Sequence, residues 1–184
     1  MENFLNNSEF LKNAEAKIQQ KVSFAKEHAL TQEEYKMVSD KEFEMQGIQN
    51  ERELTDDEVN YYHDFRQKMN DATVEVETLP EMRRVMGILG FDAHSIVDIM
   101  SHENAHGNKA EQLGAQHLGY RFMIIKGDNG GIIVQPQASL YIPDEWSMEK
   151  QKAVHLATLQ APDEYGNEIS DSDKKSLDQI NNSK

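Results

Sequence analysis

The chain has 184 residues, with 33 acidic against 19 basic side chains and a formal net charge of −14 at pH 7. It contains no cysteine, which excludes disulfides, thiolate metal sites, iron–sulfur clusters and a cysteine nucleophile. So acidic a chain is also a poor partner for nucleic acid or an anionic membrane surface, because both require a basic patch.

Residues 1–71 are predicted to form an N-terminal helical region. From about residue 8 to residue 29, apolar side chains recur at the three-to-four spacing of one helical face. Thr31 and Thr55 each precede a glutamate by three positions, the pattern of a capping box at a helix start. We expect three helices with short links, which pack as a small bundle or allow the chain to form a homo-oligomer.

Residues 72–161 are predicted to form an α+β core. The Asn129-Gly130 pair between two apolar runs is typical of a hairpin turn, since both residues tolerate a positive φ. The remaining polar segment, 162–184, is expected to be a flexible tail with a weak helix near Asp173–Ile180. The fold class is therefore α+β and mainly helical. The core's expected elements are a strand at 73–78, a helix at 80–89, a motif helix behind Asp92, strands at 120–126 and 131–135, and a C-terminal helix at 147–160.

The motif helix carries the chain's most distinctive pattern, His102-Glu103-Asn104-Ala105-His106. Two histidines four residues apart project from one helical face, so both imidazoles can reach a single metal ion. The intervening Glu103 would lie beside a metal-bound water and act as its general base. The pattern predicts a Zn²⁺ site with His102 and His106 as ligands and Glu103 as the catalytic residue.

With this motif the chain resembles the zincin metallopeptidases. The resemblance covers five residues and implies the same three roles, together with a β-sheet beside the helix whose edge strand pairs with the substrate. It does not extend to the metzincin branch, which continues with glycine and a third histidine where this chain has Lys109 and Gln112. The gluzincin branch takes its third ligand from a later helix.

The third ligand is open among four residues. Glu149 and His155 lie on the predicted C-terminal helix, while Glu111 and His117 follow the motif more closely. In an unbroken helix, at about 100° per residue, Glu111 would point away from the first histidine. The alternative is a break, in which a new helix begins after Gly107 with Asn108 and Glu111 as its capping pair, and Glu111 then has a structural role that disfavours it as a ligand.

These patterns favour a zinc-dependent hydrolase, most plausibly a metallopeptidase that uses a metal-activated water and acts on a protein or peptide. The alternative is a non-catalytic helical interaction or regulatory protein in which the motif is incidental. The N-terminus has no secretion signal and no apolar run reaches the roughly 20 residues of a membrane span. We therefore expect a cytoplasmic protein with neither membrane nor nucleic-acid partners.

Overall fold

The structure is a computed structural model that describes the backbone of residues 2–182 and the side chains of residues 12–42, 44–45, 48 and 52–181. Over this part the fold is α+β and mainly helical, as predicted. No helix within it combines the length and the apolar character needed to cross a bilayer. The elements in chain order are α1 (Glu2–Glu27), β1 (Leu30–Thr31), α2 (Gln32–Glu51), α3 (Asp56–Asp71), β2 (Thr73–Val76), α4 (Leu79–Ile88), α5 (Ala93–Gln112), β3 (Gln116–Lys126), β4 (Ile132–Tyr141), α6 (Met148–Glu164) and α7 (Asp171–Asn182).

The chain divides into two compact units. The first unit contains the N-terminal helices together with the outer part of the β3–β4 hairpin. The units consist of Met1–Val74 with Phe122–Gln135, and of Glu75–Arg121 with Pro136–Lys184.

In the first unit, the capping boxes predicted at Thr31 and Thr55 are confirmed. The Thr31 hydroxyl accepts the Glu34 N–H at 3.1 Å, and the Glu34 carboxylate accepts the Thr31 N–H at 2.9 Å. The same reciprocal pair stands at Thr55. The two-residue strand β1 was not predicted, and it pairs in parallel with the end of β3, with Leu30 opposite Ile125.

In the second unit, α5 begins where the sequence predicted. The Asp92 carboxylate accepts the backbone N–H groups of His94 and Ser95 at 2.9 and 3.0 Å, which satisfies donors that have no partner in the first turn of a helix. Ahead of it, Thr78 caps α4, and Gly90, at a φ of +89°, follows the helix end. These local signals fix where the motif helix starts.

Of the two alternatives at Gly107, the break is wrong, because α5 runs without interruption from Ala93 to Gln112. The glycine serves close packing instead. A Cβ placed at Gly107 would lie 2.7 Å from Nδ1 and Cε1 of His117, so the imidazole ring rests directly against the helix backbone. With α5 continuous, Glu111 points away from the motif histidines.

The predicted hairpin is confirmed, with strands longer than expected. The turn closes through the Gly127 N–H, which donates to the Gly131 carbonyl at 2.9 Å, and Gly130 adopts a φ of +78°. The strand order is β1-β3-β2, and β4 also pairs with β3. In the described part of the chain, β3 is the one strand that pairs with β4.

After β4, the chain continues as two helices. Helix α6 starts at a Ser147 cap and continues to Glu164, four residues past the predicted end. The weak helix predicted near Asp173–Ile180 is present as α7, which packs against α6. A core cluster joins α5 to α6, with Ala110, Ala115 and Val154 buried and Leu140, Ile142 and Trp146 packed around them.

Candidate metal centre

His102 and His106 lie one turn apart on α5 and face the same side, as their spacing predicts. Their Nε2 atoms are 3.2 Å apart, and the ring planes are inclined by 79°. Two ring nitrogens therefore converge on one point beside the helix.

Asp173, near the start of α7, completes the cluster. Its Oδ2 lies 3.0 Å from Nε2 of His102 and 3.5 Å from Nε2 of His106. The three side chains are 15, 8 and 13 % exposed, in the order His102, His106, Asp173. Two imidazoles and a carboxylate thus form a largely buried group that could hold a metal ion.

The distances within this group fit a tetrahedral cation. A Zn²⁺ ion with ligand bonds of about 2.0–2.1 Å separates its donor atoms by roughly 3.3–3.4 Å. The three donor separations here, 3.0, 3.2 and 3.5 Å, scatter around that value. Three protein donors would leave one tetrahedral position for water or substrate.

The backbone of α6 orients the second histidine. Nδ1 of His106 donates to the Thr158 carbonyl oxygen at 2.8 Å, so this nitrogen carries the hydrogen and, in the neutral ring, Nε2 keeps its lone pair. Burial disfavours a charged ring, but the Asp173 carboxylate and the Thr158 carbonyl outweigh it and raise the pKa of His106. The surroundings of this ring favour positive charge.

The Asp173 carboxylate is held ionised by its neighbours. Burial acts to raise its pKa, but hydrogen bonds from His102, His106 and Ser170 overcome this and hold the pKa far below its usual range. Charge on Asp173 in turn favours a cation at the meeting point of the three side chains.

Glu103 lies deep beside the cluster, with 4 % of its surface exposed. Burial raises the pKa of its carboxyl, against the lowering effect of the two histidines and of a hydrogen bond from the Ala138 N–H. That bond comes from β4, so the strand's backbone reaches the residue between the two histidines. Tyr120 on β3 further holds the motif by donating its hydroxyl to Oδ1 of Asn104 at 3.2 Å.

The last residue of α6 and the loop that follows it contact α5 on either side of the motif. Nδ2 of Asn167 donates to the Ser101 hydroxyl at 3.2 Å, one residue before the first histidine. Lys109 forms an ion pair with Glu164 at 2.6 Å. Together these contacts set the path by which the chain reaches α7.

None of the four residues considered as third ligand belongs to the cluster. Glu111 is exposed near the end of α5, His117 packs from β3 against the opposite part of that helix, and Glu149 and His155 lie on α6. Sequence reasoning missed Asp173. The local signal available was Ser170 three residues before it, a helix-start pattern, and that pattern carries no indication of a metal.

The arrangement brings together three ligand-type atoms and an adjacent buried carboxylate. Comparisons of the chain with protein-family models, with curated proteins and with solved structures found no match.

Proposed function

We propose that this protein is a zinc-dependent hydrolase of the metallopeptidase type, with His102, His106 and Asp173 as metal ligands and Glu103 as general base. The observation that carries the proposal is the convergence of Nε2, Nε2 and Oδ2 at tetrahedral separations, with a glutamate next to the first histidine. A bound Zn²⁺ would supply Lewis acidity, which activates a water and polarises a carbonyl.

Glu103 suits the task of moving a proton. It lies on the ligand helix and is shielded from bulk solvent, so it meets only molecules that enter the site. In the proposed reaction its carboxylate accepts the proton of the attacking water and passes it to the leaving amine. The Ala138 N–H holds the carboxylate in place and leaves its remaining lone pairs for the reaction.

The edge of β4 that faces away from β3 supports a peptide as the substrate class, because no other described strand pairs with β4. Because backbone groups alternate in direction along a strand, the Ala138 N–H that reaches Glu103 marks the side facing away from β3. The backbone polar groups of Pro136 and Leu140 face the same side as those of Ala138. Because this side faces away from β3, the proline removes no hydrogen bond between β3 and β4. An extended peptide can add to such an edge through main-chain hydrogen bonds, which would place its carbonyls beside the metal cluster.

Metal content is the first test. Untagged wild-type protein, dialysed against micromolar zinc, is expected to retain about one equivalent, whereas His102→Ala, His106→Ala and Asp173→Ala lose it. The matched controls are His155→Ala and Glu149→Gln, which remove potential donors outside the cluster and should retain the metal. Metal analysis of the protein as purified shows which ion is bound. This distinguishes zinc from Fe²⁺, which is also bound by sets of two histidines and one carboxylate.

Catalysis is tested separately with Glu103→Gln. This variant is expected to bind zinc normally but to lose hydrolysis of a fluorescent casein substrate, because a general base acts on water rather than on the metal. Zinc at 100 times its Kd should also stabilise the wild type by about 2.7 kcal/mol. If the wild type holds far less than one equivalent and melts at an unchanged temperature, the metalloenzyme proposal is wrong. The alternative function, a non-catalytic interaction protein, would then be favoured.

A further inference from the structure

The hydroxyl of Ser170 makes two different contacts at the start of α7. It accepts the Asp173 N–H at 3.1 Å, and the Ser170 carbonyl accepts the Lys174 N–H at 2.9 Å, so this serine is the N-cap of the helix. The same hydroxyl donates to Oδ2 of Asp173 at 2.6 Å. The second contact contributes nothing to capping, because it involves no backbone group of the helix.

The second contact engages the carboxylate oxygen that approaches the histidines. Oδ2 is the atom at 3.0 Å from Nε2 of His102, and a carboxylate oxygen offers two lone pairs. The Ser170 hydrogen occupies one of them and leaves the other available to the cluster. At 2.6 Å this is a charge-assisted hydrogen bond, a class about twice as strong as bonds between neutral groups.

Without this hydrogen bond, the carboxylate would have other partners available. An aspartate in the first turn of a helix is attracted by unpaired backbone N–H groups, which favour rotation toward the helix axis. Such a rotation would carry Oδ2 away from both imidazoles. The hydroxyl opposes it because it holds the ligand oxygen through the 2.6 Å hydrogen bond.

We propose that Ser170 is a positioning residue for the metal centre, whose hydroxyl holds Oδ2 of Asp173 in the orientation that binds the cation. This inference rests on the proposed function, because it assumes the same three ligands. Its effect is on metal affinity, separately from the contribution that the serine makes to helix stability.

Substitutions at Ser170 can separate the two roles. Glycine caps a helix nearly as well as serine, whereas alanine does not, and neither residue carries a hydroxyl. Threonine supplies both the cap and the donor. Ser147 is the matched control, since it caps α6 by accepting the Lys150 N–H at 3.3 Å and has no carboxylate at the third helical position.

The experiment measures zinc affinity by competition with a chromophoric chelator, and the melting temperature of each metal-free variant. Ser170→Ala and Ser170→Gly are expected to weaken zinc binding by about 10- to 100-fold, the usual effect of removing a group that orients a ligand. Ser170→Thr should restore near wild-type affinity. Ser147→Ala should lower metal-free stability while leaving zinc affinity unchanged.

Wild-type affinity for Ser170→Gly would overturn the proposal, because it would show that capping alone explains the serine. Weak binding by Ser170→Thr would overturn it as well. Both results leave the proposed function intact, provided that the wild type binds one zinc and Asp173→Ala does not. Failure of the wild type to bind zinc would refute the proposed function and this inference with it.

Discussion

Replacement of Gly107 by alanine sets two effects of opposite sign against each other. In a helix interior, alanine is favoured over glycine by up to about 1 kcal/mol. Here, however, the new Cβ would lie 2.7 Å from two atoms of the His117 ring and 2.9 Å from its Cγ, where non-bonded carbons prefer about 3.5–4.0 Å. One partner must therefore move by nearly 1 Å.

The imidazole has little room to retreat. It packs edge-on against the Tyr120 ring, with centroids 4.7 Å apart, and that tyrosine is buried and hydrogen-bonded to the motif helix. Overpacking of this kind costs about 1–3 kcal/mol, more than the helix preference returns. We expect Gly107→Ala to lose about 1–2 kcal/mol of unfolding free energy.

Urea denaturation measures this loss, and Gly87 in α4 provides the control. No atom lies within 4 Å of a Cβ placed at Gly87, so Gly87→Ala should gain up to about 1 kcal/mol. In a His117→Ala background the contact is gone, and Gly107→Ala should become neutral or stabilising. The packing argument is refuted if Gly107→Ala in the otherwise wild-type chain is as stable as the parent.

Three further outcomes follow from single contacts. In the described part of the chain the buried Thr158 hydroxyl has no hydrogen-bond partner. Thr158→Val should therefore raise the unfolding free energy by up to about 1 kcal/mol. It should not weaken zinc binding, because the backbone carbonyl that accepts the His106 hydrogen bond remains. Thr55→Ala should cost about 1 kcal/mol in the same measurement, because it removes a helix cap. Hydrogen bonds from Arg52 and Thr55 lower the pKa of Glu58 from 4.5 to about 2. The stabilisation by its charge is therefore complete above pH 4.5 and is lost as the pH falls toward 2. Over that range the wild type should lose more unfolding free energy than Glu58→Gln. Equal losses in the two proteins would contradict this expectation.

Features set by neighbouring residues could be predicted from the sequence. The caps at Thr31, Thr55 and Asp92 depend on side chains that reach backbone groups two or three residues away. The hairpin depends on a turn that Asn129 and Gly130 favour. The convergence of two histidines depends only on helical periodicity. In each case the deciding interaction lies within one turn or one loop.

Features set by distant packing could not be predicted. Gly107 has the local properties of a helix breaker. The reason for a glycine at this position is the His117 ring, which packs against it from strand β3. Asp173 is 71 residues from His102, and its own neighbourhood indicates no more than a helix start. The link between Glu103 and β4 likewise depends on how far the strand extends past Pro136. Such contacts follow from the packing of α5 against β4, α6 and α7, which no local pattern specifies.

The spacing of the cluster along the chain has a consequence for the order in which it assembles. His102 and His106 are brought together by α5 alone, whereas closing the 71-residue loop to Asp173 costs about 2.5 kcal/mol more in chain entropy than closing four residues. A cation present while the chain folds therefore meets a two-histidine half-site first. The Asp173 carboxylate joins the histidines only when α6 and α7 have packed. An increase in affinity for the cation during folding would therefore mark this last packing step.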